Sequence, residues 1–312
     1  MALKIGVLMG GRSSEREVSL RTGAAINDAL KTKGYDTIKI DVGFDIAEKI
    51  KAAGVNLAFL ALHGRYGEDG AVQGMLEMLD IPYTGSGVLA SALAMDKIAS
   101  KKMLLFAGLP TPRFLAISKS TATAVGLKNI CEQVLGEMDL PLVVKAPTQG
   151  STIGISFVRQ RSELAEAFTL AFKYDPVAMV EQFIEGIELT ASVLGNEKPI
   201  ALPLIEIVSA TGVYDYNAKY TVGMSEHIIP PRISTESQEQ IKGLATSTYK
   251  AIGCRGLARI DFILGNDGLP YILEINTMPG MTETSLFPDA ARAAGIEFPD
   301  LIDRLVKMAR EK

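Results

Sequence analysis

The first 96 residues alternate short apolar runs with stretches that have helical periodicity, and no other feature restricts the fold as strongly. The apolar runs at 4–9, 35–42 and 55–62 have the length of strands, and helices are expected between them. Strands that alternate with helices become parallel neighbours in one sheet. The sequence therefore predicts an α/β fold that begins with a Rossmann-like parallel sheet.

Three local patterns give expectations for the elements themselves. Ser14 is followed three residues later by Glu17, which is the spacing of a capping box at the start of the first helix. Periodicity further along predicts one continuous helix over 121–137 and one strand over 200–208. The two prolines in 109–112 indicate a junction between structural units.

Size and charge exclude several classes of protein. A chain of 312 residues is long enough for two or three lobes. Its 32 basic and 36 acidic residues give a net charge of −4, whereas a general nucleic-acid binder needs a basic surface. Apolar runs stay below the ~18 residues of a membrane span, and the first residues have the pattern of a strand and not of a signal peptide. We expect a cytoplasmic protein that binds neither nucleic acid nor membranes.

Cysteine and histidine usage argues against zinc. Cys131 and Cys254 are far apart and neither belongs to a C-x-x-C pair. The only other nitrogen or sulfur ligands of this kind are His63 and His227. Both cysteines are expected to be small buried apolar groups in a reducing compartment.

The strongest chemical signal is a pair of polar positions on each of two neighbouring strands. Arg259 and Asp261 are two residues apart in an apolar run, so both side chains leave the same face, and Glu274 and Asn276 repeat the pattern. A G-N-D-G turn signal lies between the runs, which predicts a hairpin. Two carboxylates and an amide oxygen suit Mg²⁺, and the arginine suits a phosphoryl group or an oxyanion. The alternative is a solvated polar face on an edge hairpin.

Three loops give weaker signals. The small residues of 149–154 could wrap phosphates with backbone amides, although a hairpin turn is an equal alternative. The glycine-rich segment 63–74 follows a strand and precedes a helix, and His63 within it is either structural or functional. Glu15 either complements a helix dipole or holds a substrate ammonium. The chain contains neither a Walker A loop nor a G-x-G-x-x-G fingerprint after the first strand.

Residues 209–232 have no clear periodicity and contain three tyrosines. A structureless stretch of that length in a compact protein is usually functional or disordered. Its aromatic content favours a functional role, and a lid over a site is expected here.

Two long motifs together resemble the D-alanine–D-alanine ligases of the ATP-grasp superfamily. They are H-G-R-Y-G-E-D-G-A-V-Q-G at 63–74 and G-L-A-R-I-D-F followed by L-E-I-N-T-M-P-G-M-T. The resemblance runs the length of the chain and also covers 9–19, 86–97, 145–154, 214–220 and 284–288. Gln182 and Phe183 stand where members of the family often have Lys and Trp near adenine.

The resemblance implies three lobes, over 1–96, 97–184 and 185–312, with ATP held between the central and C-terminal lobes. The implied ATP contacts are Lys97, Lys145, Glu181, Ile184 and Glu188. The implied metal ligands for two Mg²⁺ ions, with Mn²⁺ as an alternative, are Asp261, Glu274 and Asn276. The implied catalytic residues are Glu15, Ser151, Tyr220, Arg259 and Gly280. The implied substrate-binding residues are His63, Lys219, Ser285 and Leu286.

The implied activity is the ATP-dependent joining of two D-alanines through a D-alanyl phosphate, for peptidoglycan precursor synthesis, in a cytoplasmic homodimer. The nearest alternative is a D-alanine–D-lactate ligase or another ATP-grasp ligase that joins a carboxylate to an amine. A nucleotide-binding protein without catalysis is a further alternative, and the complete set of Arg259, Asp261, Glu274 and Asn276 argues against it. A NAD-dependent dehydrogenase is disfavoured by the missing glycine fingerprint.

Overall fold

The computed structural model describes residues 3–150, 153–209, 225–282 and 285–311, and its strands form three sheets. The strands are β1 (Lys4–Met9), β2 (Asp36–Asp41), β3 (Leu57–Leu60), β4 (Phe114–Ser118), β5 (Leu142–Lys145), β6 (Ile155–Val158), β7 (Val177–Gln182), β8 (Gly186–Leu194), β9 (Ile200–Ala201), β10 (Ile205–Ser209), β11 (Ser225–Ile228), β12 (Leu257–Gly265) and β13 (Pro270–Asn276). The helices are α1 (Arg16–Thr32), α2 (Ile46–Ala53), α3 (Ala71–Met78), α4 (Val88–Met95), α5 (Lys97–Phe106), α6 (Lys119–Val125), α7 (Leu127–Glu137), α8 (Leu164–Tyr174), α9 (Thr235–Ile252), α10 (Leu286–Ala293) and α11 (Phe298–Ala309). A single 3₁₀ turn, Arg161–Glu163, precedes α8.

The first sheet is parallel, in the order β2-β1-β3, which confirms the Rossmann-like prediction. The central strand β1 is buried at every residue after Lys4, so its run is continuously apolar and does not alternate. The connections that leave β1 and β3 carry Glu15 and His63. Because the carboxyl ends of parallel strands meet at one edge, both residues lie at the same edge of the sheet.

The second sheet is antiparallel, in the order β4-β7-β5-β6. Val144 on β5 and Val180 on β7 face a core that includes Phe168 of α8. Lys145 and Glu181 are the sequence neighbours of these valines, so they leave the opposite face of the sheet. The pattern of the two strands therefore places a lysine and a glutamate on the face away from the core.

The third sheet is antiparallel, in the order β11-β10-β8-β12-β13, with β9 paired to β8. Strands β8 and β12 pair along nine consecutive residues, from Leu257 opposite Leu194 to Gly265 opposite Gly186. Helix α9 packs through Tyr249 on the core of this sheet. The hairpin of β12 and β13 at the edge of the sheet confirms the predicted pairing.

The apolar cores do not follow the order of the chain. One core joins α1 of the first sheet to α11 at the other end of the chain, for example Ile26 and Leu30 with Leu301 and Leu305. A second core joins Leu104 of α5 to the third sheet. The second sheet has a core built from its own stretch of chain, residues 115–180. The lobe boundaries at 96/97 and 184/185 stay a prediction.

Three local predictions are wrong. The helix expected over 121–137 is two helices, because Gly126 has a φ of 91°. The strand expected over 200–208 is split at Pro203, which has no N–H to donate to a ladder. The capping box at Ser14 does not form, since α1 begins at Arg16.

The reason for the last difference is a contact that the local pattern does not contain. The Ser13 hydroxyl donates to the carbonyl oxygen of His63 at 2.7 Å and accepts from the Glu15 backbone N–H at 3.2 Å. The turn before α1 is thereby tied to the loop after β3. A tertiary hydrogen bond has overridden a helix-start signal.

Candidate active site

The β12–β13 hairpin places four polar side chains side by side. Its register sets Asp261 opposite Glu274 and Arg259 opposite Asn276. On β12, Ile260 alternates with these residues and is fully buried. The hairpin therefore presents an arginine, two carboxylates and an amide on one face and packs its other face into the protein.

A β-bulge interrupts this hairpin between Asp261 and Phe262. Across it, the partner of Phe262 is Ile272, so Leu273 is the extra residue of the bulge. The core side chains on β13 are accordingly Ile272 and Ile275, whereas simple alternation predicts Leu273 and Ile275. The bulge resets the alternation next to Glu274.

The charges of the hairpin are balanced within the site. The Arg259 guanidinium donates to Asp261 through Nε at 2.9 Å and through Nη2 at 2.8 Å. The Thr190 hydroxyl of β8 donates to the Asp261 Oδ1 atom at 2.7 Å. Glu274 forms an ion pair with Lys97, whose Nζ lies 3.2 Å from Oε2. Each carboxylate is thus held by a cation.

Lys97 also fixes the loop that follows β5. Its Nζ donates to the carbonyl oxygen of Gln149 at 2.8 Å, and its backbone N–H donates to that of Pro147 at 3.2 Å. The Thr148 backbone N–H and hydroxyl both donate to Asp175 Oδ2, at 3.2 and 2.6 Å. These hydrogen bonds fix residues 147–149, at the start of the predicted phosphate loop, to Lys97 and to Asp175. Ser151 lies outside the described residues.

The first sheet supplies the facing wall. His63 is buried, with its Nδ1 3.3 Å from Glu68 Oε1 and its Nε2 3.3 Å from the Thr22 hydroxyl. Glu15 lies beside it, at the start of α1. A methyl group on Gly64 would lie 3.0 Å from the Glu15 carboxylate, so glycine leaves room for this side chain. The wall carries two acids and a histidine.

The walls enclose a cleft of about 100 Å³. Seven of the residues predicted from the sequence line it: Glu15, His63, Lys97, Arg259, Glu274, Asn276 and Gly280. Asp261 lies beneath Arg259 and is 9% exposed. Residues that are 261 positions apart in the sequence, from Asn276 to Glu15, are thereby brought to one place.

Two of the predicted substrate-binding residues, Ser285 and Leu286, lie beside the cleft. Ser285 is the N-cap residue of α10, so Leu286 is the first residue of that helix. The Ser285 hydroxyl accepts from the Thr282 backbone N–H at 3.0 Å, and a methyl group on Gly280 would lie 2.9 Å from the same oxygen. The lack of a side chain at Gly280 therefore lets the backbone at this residue lie close to the Ser285 hydroxyl. Lys219 and Tyr220, and most of the expected lid over 209–232, lie outside the described residues.

The remaining predicted ATP contacts lie along β7 and β8. Glu188 is two residues from Thr190 on β8 and therefore shares its face, the one that meets Asp261. Ile184 lies in the connection between β7 and β8. Gln182 is exposed, and the Phe183 ring packs edge-on against Phe157 with centroids 6.0 Å apart. The two departures from the family pattern thus have different surroundings.

Lys145 and Glu181 form a buried ion pair of 2.5 Å. A second lysine, Lys101, is fully buried and pairs with the same carboxylate. Burial by itself would raise the pKa of Glu181, but the two ammonium groups hold that pKa below its ordinary value. Burial lowers the pKa of Lys101 to about 8, against the opposing attraction of Glu181.

Sequence reasoning missed Lys101. The available signal was its spacing, because Lys97 and Lys101 are four residues apart and lie on one face of α5. Both are buried on a helix that also carries exposed Lys102. A buried lysine on a soluble helix is rare unless it is paired.

The donor set of the hairpin fits a hard divalent cation. The side-chain oxygens of Asp261, Glu274 and Asn276 are the type that Mg²⁺ prefers. Among the described residues, no cluster of three or more acidic, histidine or cysteine side chains could hold a metal. A cation here would therefore have only two carboxylates from the described residues. The amide of Asn276 and oxygens from substrate or water would complete its ligands. The Asn276 Oδ1 atom is oriented by the Met278 backbone N–H at 3.0 Å.

Comparison with known proteins gives matches along the whole chain. The family model described as D-ala D-ala ligase N-terminus matches residues 41–86, and the one described as D-ala D-ala ligase C-terminus matches residues 103–307. The D-alanine--D-alanine ligase of Pelotomaculum thermopropionicum is 68% identical over 311 residues, which is 100% of this chain and 98% of that relative.

Solved structures match equally completely. The D-alanine--D-alanine ligase from Bacillus anthracis complexed with ATP has a TM-score of 0.83 and 35% identity, over 99% of this chain and 97% of that one. The VanG D-Ala:D-Ser ligase from Enterococcus faecalis has a TM-score of 0.84 and 30% identity, over 99% and 100%. Of the helices described, none has the length and apolar character that a membrane crossing requires.

Proposed function

The chain belongs to the D-alanine–D-alanine ligase family, and from this premise we propose how its cleft works. It is an ATP-dependent ligase of ATP-grasp fold that joins two D-alanines into D-alanyl-D-alanine for peptidoglycan precursor synthesis. The observation that carries the assignment of residues is the convergence of Glu15, Lys97 and Arg259 on one cleft. We place the reaction in the cytoplasm, where ATP is available.

The reaction first makes a poor electrophile reactive. A carboxylate oxygen of the first D-alanine forms a bond to the γ-phosphorus of ATP, the bond from that phosphorus to the bridging oxygen of ADP breaks, and D-alanyl phosphate results. The neutral amine of the second D-alanine then attacks the carbonyl carbon. A tetrahedral oxyanion forms, the amine loses a proton, and phosphate leaves. The protein contributes position and charge neutralisation.

The first sheet and the hairpin divide this work. We assign Glu15 to the ammonium of the first D-alanine, with His63 beside it, because both line the wall opposite the hairpin. We assign Arg259 and the Gly280 backbone N–H to the oxyanion, since donors aimed at developing charge lower the barrier most. We assign Lys97 to the phosphates of ATP, because it lies in the cleft between Glu274 and the carbonyl oxygen of Gln149.

The roles outside this wall rest on the family pattern. Lys145 is assigned to the phosphates, Glu181 and Ile184 to adenine, and Glu188 to ribose. Ser285 and the Leu286 backbone N–H are assigned to the carboxylate of the second D-alanine, together with Lys219. Ser151 and Tyr220 are assigned to a hydrogen-bond network with Glu15.

We propose that Asp261, Glu274 and Asn276 hold two Mg²⁺ ions. The ions would neutralise the ATP phosphates and the transferring group. The residues fit because their donors are all oxygen and lie on one face of the hairpin. In this proposal Lys97 and Arg259 are the cations that balance the same carboxylates without metal.

We also propose a homodimer. Three large apolar side chains are exposed on consecutive helices that contact one another: Met78 of α3 is 90% exposed, Leu89 of α4 is 71% exposed and Phe106 of α5 is 88% exposed. We assign the association face to these helices, because burial of large apolar side chains between two copies removes them from water. Light scattering should give twice the chain mass for the wild type and the single-chain mass for Leu89→Glu; an unchanged mass in the variant would reject this face.

The test of the function is acceptor selectivity. Phosphate release from ATP should require D-alanine and should not be supported by L-alanine. Comparing D-alanine with D-serine and D-lactate as acceptors separates this reaction from those of related ligases, one of which is named as a D-Ala:D-Ser ligase. Release that is independent of D-alanine would reject the proposed function.

A further inference from the structure

Lys101 occupies a position that none of the roles above explains. It is 0% exposed on α5, so substrate cannot touch it. Its ammonium pairs with Glu181 and donates to the Thr111 hydroxyl at 2.5 Å. The Phe114 ring covers it, with the centroid 5.7 Å from Nζ. A charged group buried this completely must act through its partners.

The partners of Lys101 connect it to the two sheets to which we assign the nucleotide site. Glu181 is on β7 of the second sheet. The Thr111 hydroxyl donates to the carbonyl oxygen of Ile272 at 2.8 Å, and Ile272 lies on β13, two residues before Glu274. One ammonium group therefore links the strand of the adenine residue to the strand of the metal residue.

The charge balance of the cluster shows why two lysines share one glutamate. Glu181 is 2% exposed and lies between Lys101 and Lys145. The phosphates of ATP, which we assign to Lys145, compete for that ammonium. With Lys145 as its only partner, Glu181 would become an unpaired buried carboxylate whenever the nucleotide bound, which proteins rarely tolerate.

We propose that Lys101 is a positioning residue of the nucleotide site, which keeps the Glu181 carboxylate charge-balanced and directed toward adenine while Lys145 turns to the phosphates. The inference rests on the proposed ATP contacts of Glu181 and Lys145. Lys101 contributes affinity and base selectivity for ATP and has no contact with the amino acids.

The chain offers a matched pair of variants on one helix. Lys101→Met removes the buried ammonium and keeps the length of the side chain. Lys102→Met makes the same chemical change at the neighbouring exposed residue. We expect Lys101→Met to raise the Kd and KM for ATP by about tenfold, as the loss of a charged hydrogen bond predicts. The KM for D-alanine should stay within about twofold in both variants.

Base selectivity separates positioning from a general loss of structure. Adenine has an exocyclic amine that can donate a hydrogen bond to the Glu181 carboxylate, whereas guanine has a carbonyl oxygen at that place. Lys101→Met should therefore weaken ATP more than GTP and reduce the discrimination between them. A structural defect would weaken both nucleotides alike, and that result would overturn the proposal.

A second background guards against misfolding. In Lys101→Met with Glu181→Gln, both members of the buried pair are neutral, so the chain should fold. If Lys101 acts through Glu181, adding Lys101→Met to Glu181→Gln should leave the Kd for ATP unchanged. A further loss of about tenfold in that background would show an independent role and contradict the proposal.

Titration calorimetry of ATP binding, together with assays of phosphate release, shows whether the positioning role of Lys101 or the proposed function has failed. Wild type that binds ATP but releases no phosphate with D-alanine would reject the function and leave the calorimetric comparison of Lys101→Met and Lys102→Met valid. Wild type that ligates D-alanine, with Lys101→Met binding ATP as well as Lys102→Met does, would reject the positioning role and leave the function intact.

Discussion

Two carboxylate sites in this protein solve the same problem in opposite ways. The Glu181 site is closed: the carboxylate is 2% exposed and lies between two lysines. The Glu274 site is open: the side chain is 30% exposed and has Lys97 at 3.2 Å. A buried charge needs permanent partners, whereas a charge at the edge of a cleft can exchange them. The closed site therefore has fixed partners, whereas the open site can change its partners.

The largest expected effect tests the closed site. Lys101→Met should lower the free energy of unfolding by about 3 kcal/mol, because buried Glu181 would keep only Lys145 as an ammonium partner and the Thr111 hydroxyl would lose its donor. Adding Glu181→Gln should recover most of that loss. Urea unfolding of the three proteins and of Lys102→Met measures it. A loss as small as that of Lys102→Met would mean that the two sites do not differ.

The open site should respond in activity and not in stability. Glu274→Gln should reduce the rate of phosphate release about 10²–10³-fold at saturating Mg²⁺, the size typical of a lost charge-stabilising group. Its unfolding free energy should change by no more than about 1 kcal/mol, since the side chain is partly exposed. Asp267→Asn, at the turn of the same hairpin, is the control. Near-normal turnover in Glu274→Gln would remove this residue from the metal site.

Acid sharpens the comparison. The pKa of Glu181 is lowered from 4.5, so its stabilising contribution is complete above that value and is lost as the pH falls through the lower, folded-state pKa. In Lys101→Met the pKa of Glu181 should rise. Acid unfolding should therefore begin at a higher pH than in the wild type, by at most about one pH unit. Circular dichroism from pH 7 downward follows the transition. Coincident curves for Lys101→Met and Lys102→Met would contradict this linkage.

The smallest expected effect concerns the loop between the two sites. Thr148→Val removes the hydroxyl that donates to Asp175 at 2.6 Å and keeps the volume of the side chain. We expect a loss of about 1 kcal/mol in stability, because the backbone N–H of residue 148 keeps its bond to the same oxygen. Urea unfolding measures the change. A loss as large as that of Lys101→Met would show that the loop anchor belongs to the closed site.

The open site was predictable because its residues repeat within single strands. On each of two apolar runs joined by a turn signal, the polar residues are two positions apart. This spacing predicts that Arg259, Asp261, Glu274 and Asn276 share one face of the hairpin. The bulge at Asp261 was not predictable, since an inserted residue changes the register without changing the composition of the strand.

In the closed site, only the shared helix face of Lys97 and Lys101 has a local signal in the sequence. Lys101, Lys145 and Glu181 lie on a helix and two strands, and only tertiary packing brings them together. The parallel first sheet, by contrast, follows from the periodicity of the chain. The misplaced start of α1 has the same cause as the missed lysine, because the hydrogen bond from Ser13 to His63 joins residues fifty positions apart.

The core that joins α1 to α11 has a consequence for how the chain is made. Ile26 and Leu30 share a core with Leu301 and Leu305, which a ribosome adds only after the whole of the intervening chain. The second sheet, with a core drawn from residues 115–180, can fold while the rest of the chain is still being translated. The apolar face that α1 contributes to this core therefore stays uncovered while the residues between α1 and α11 are being made.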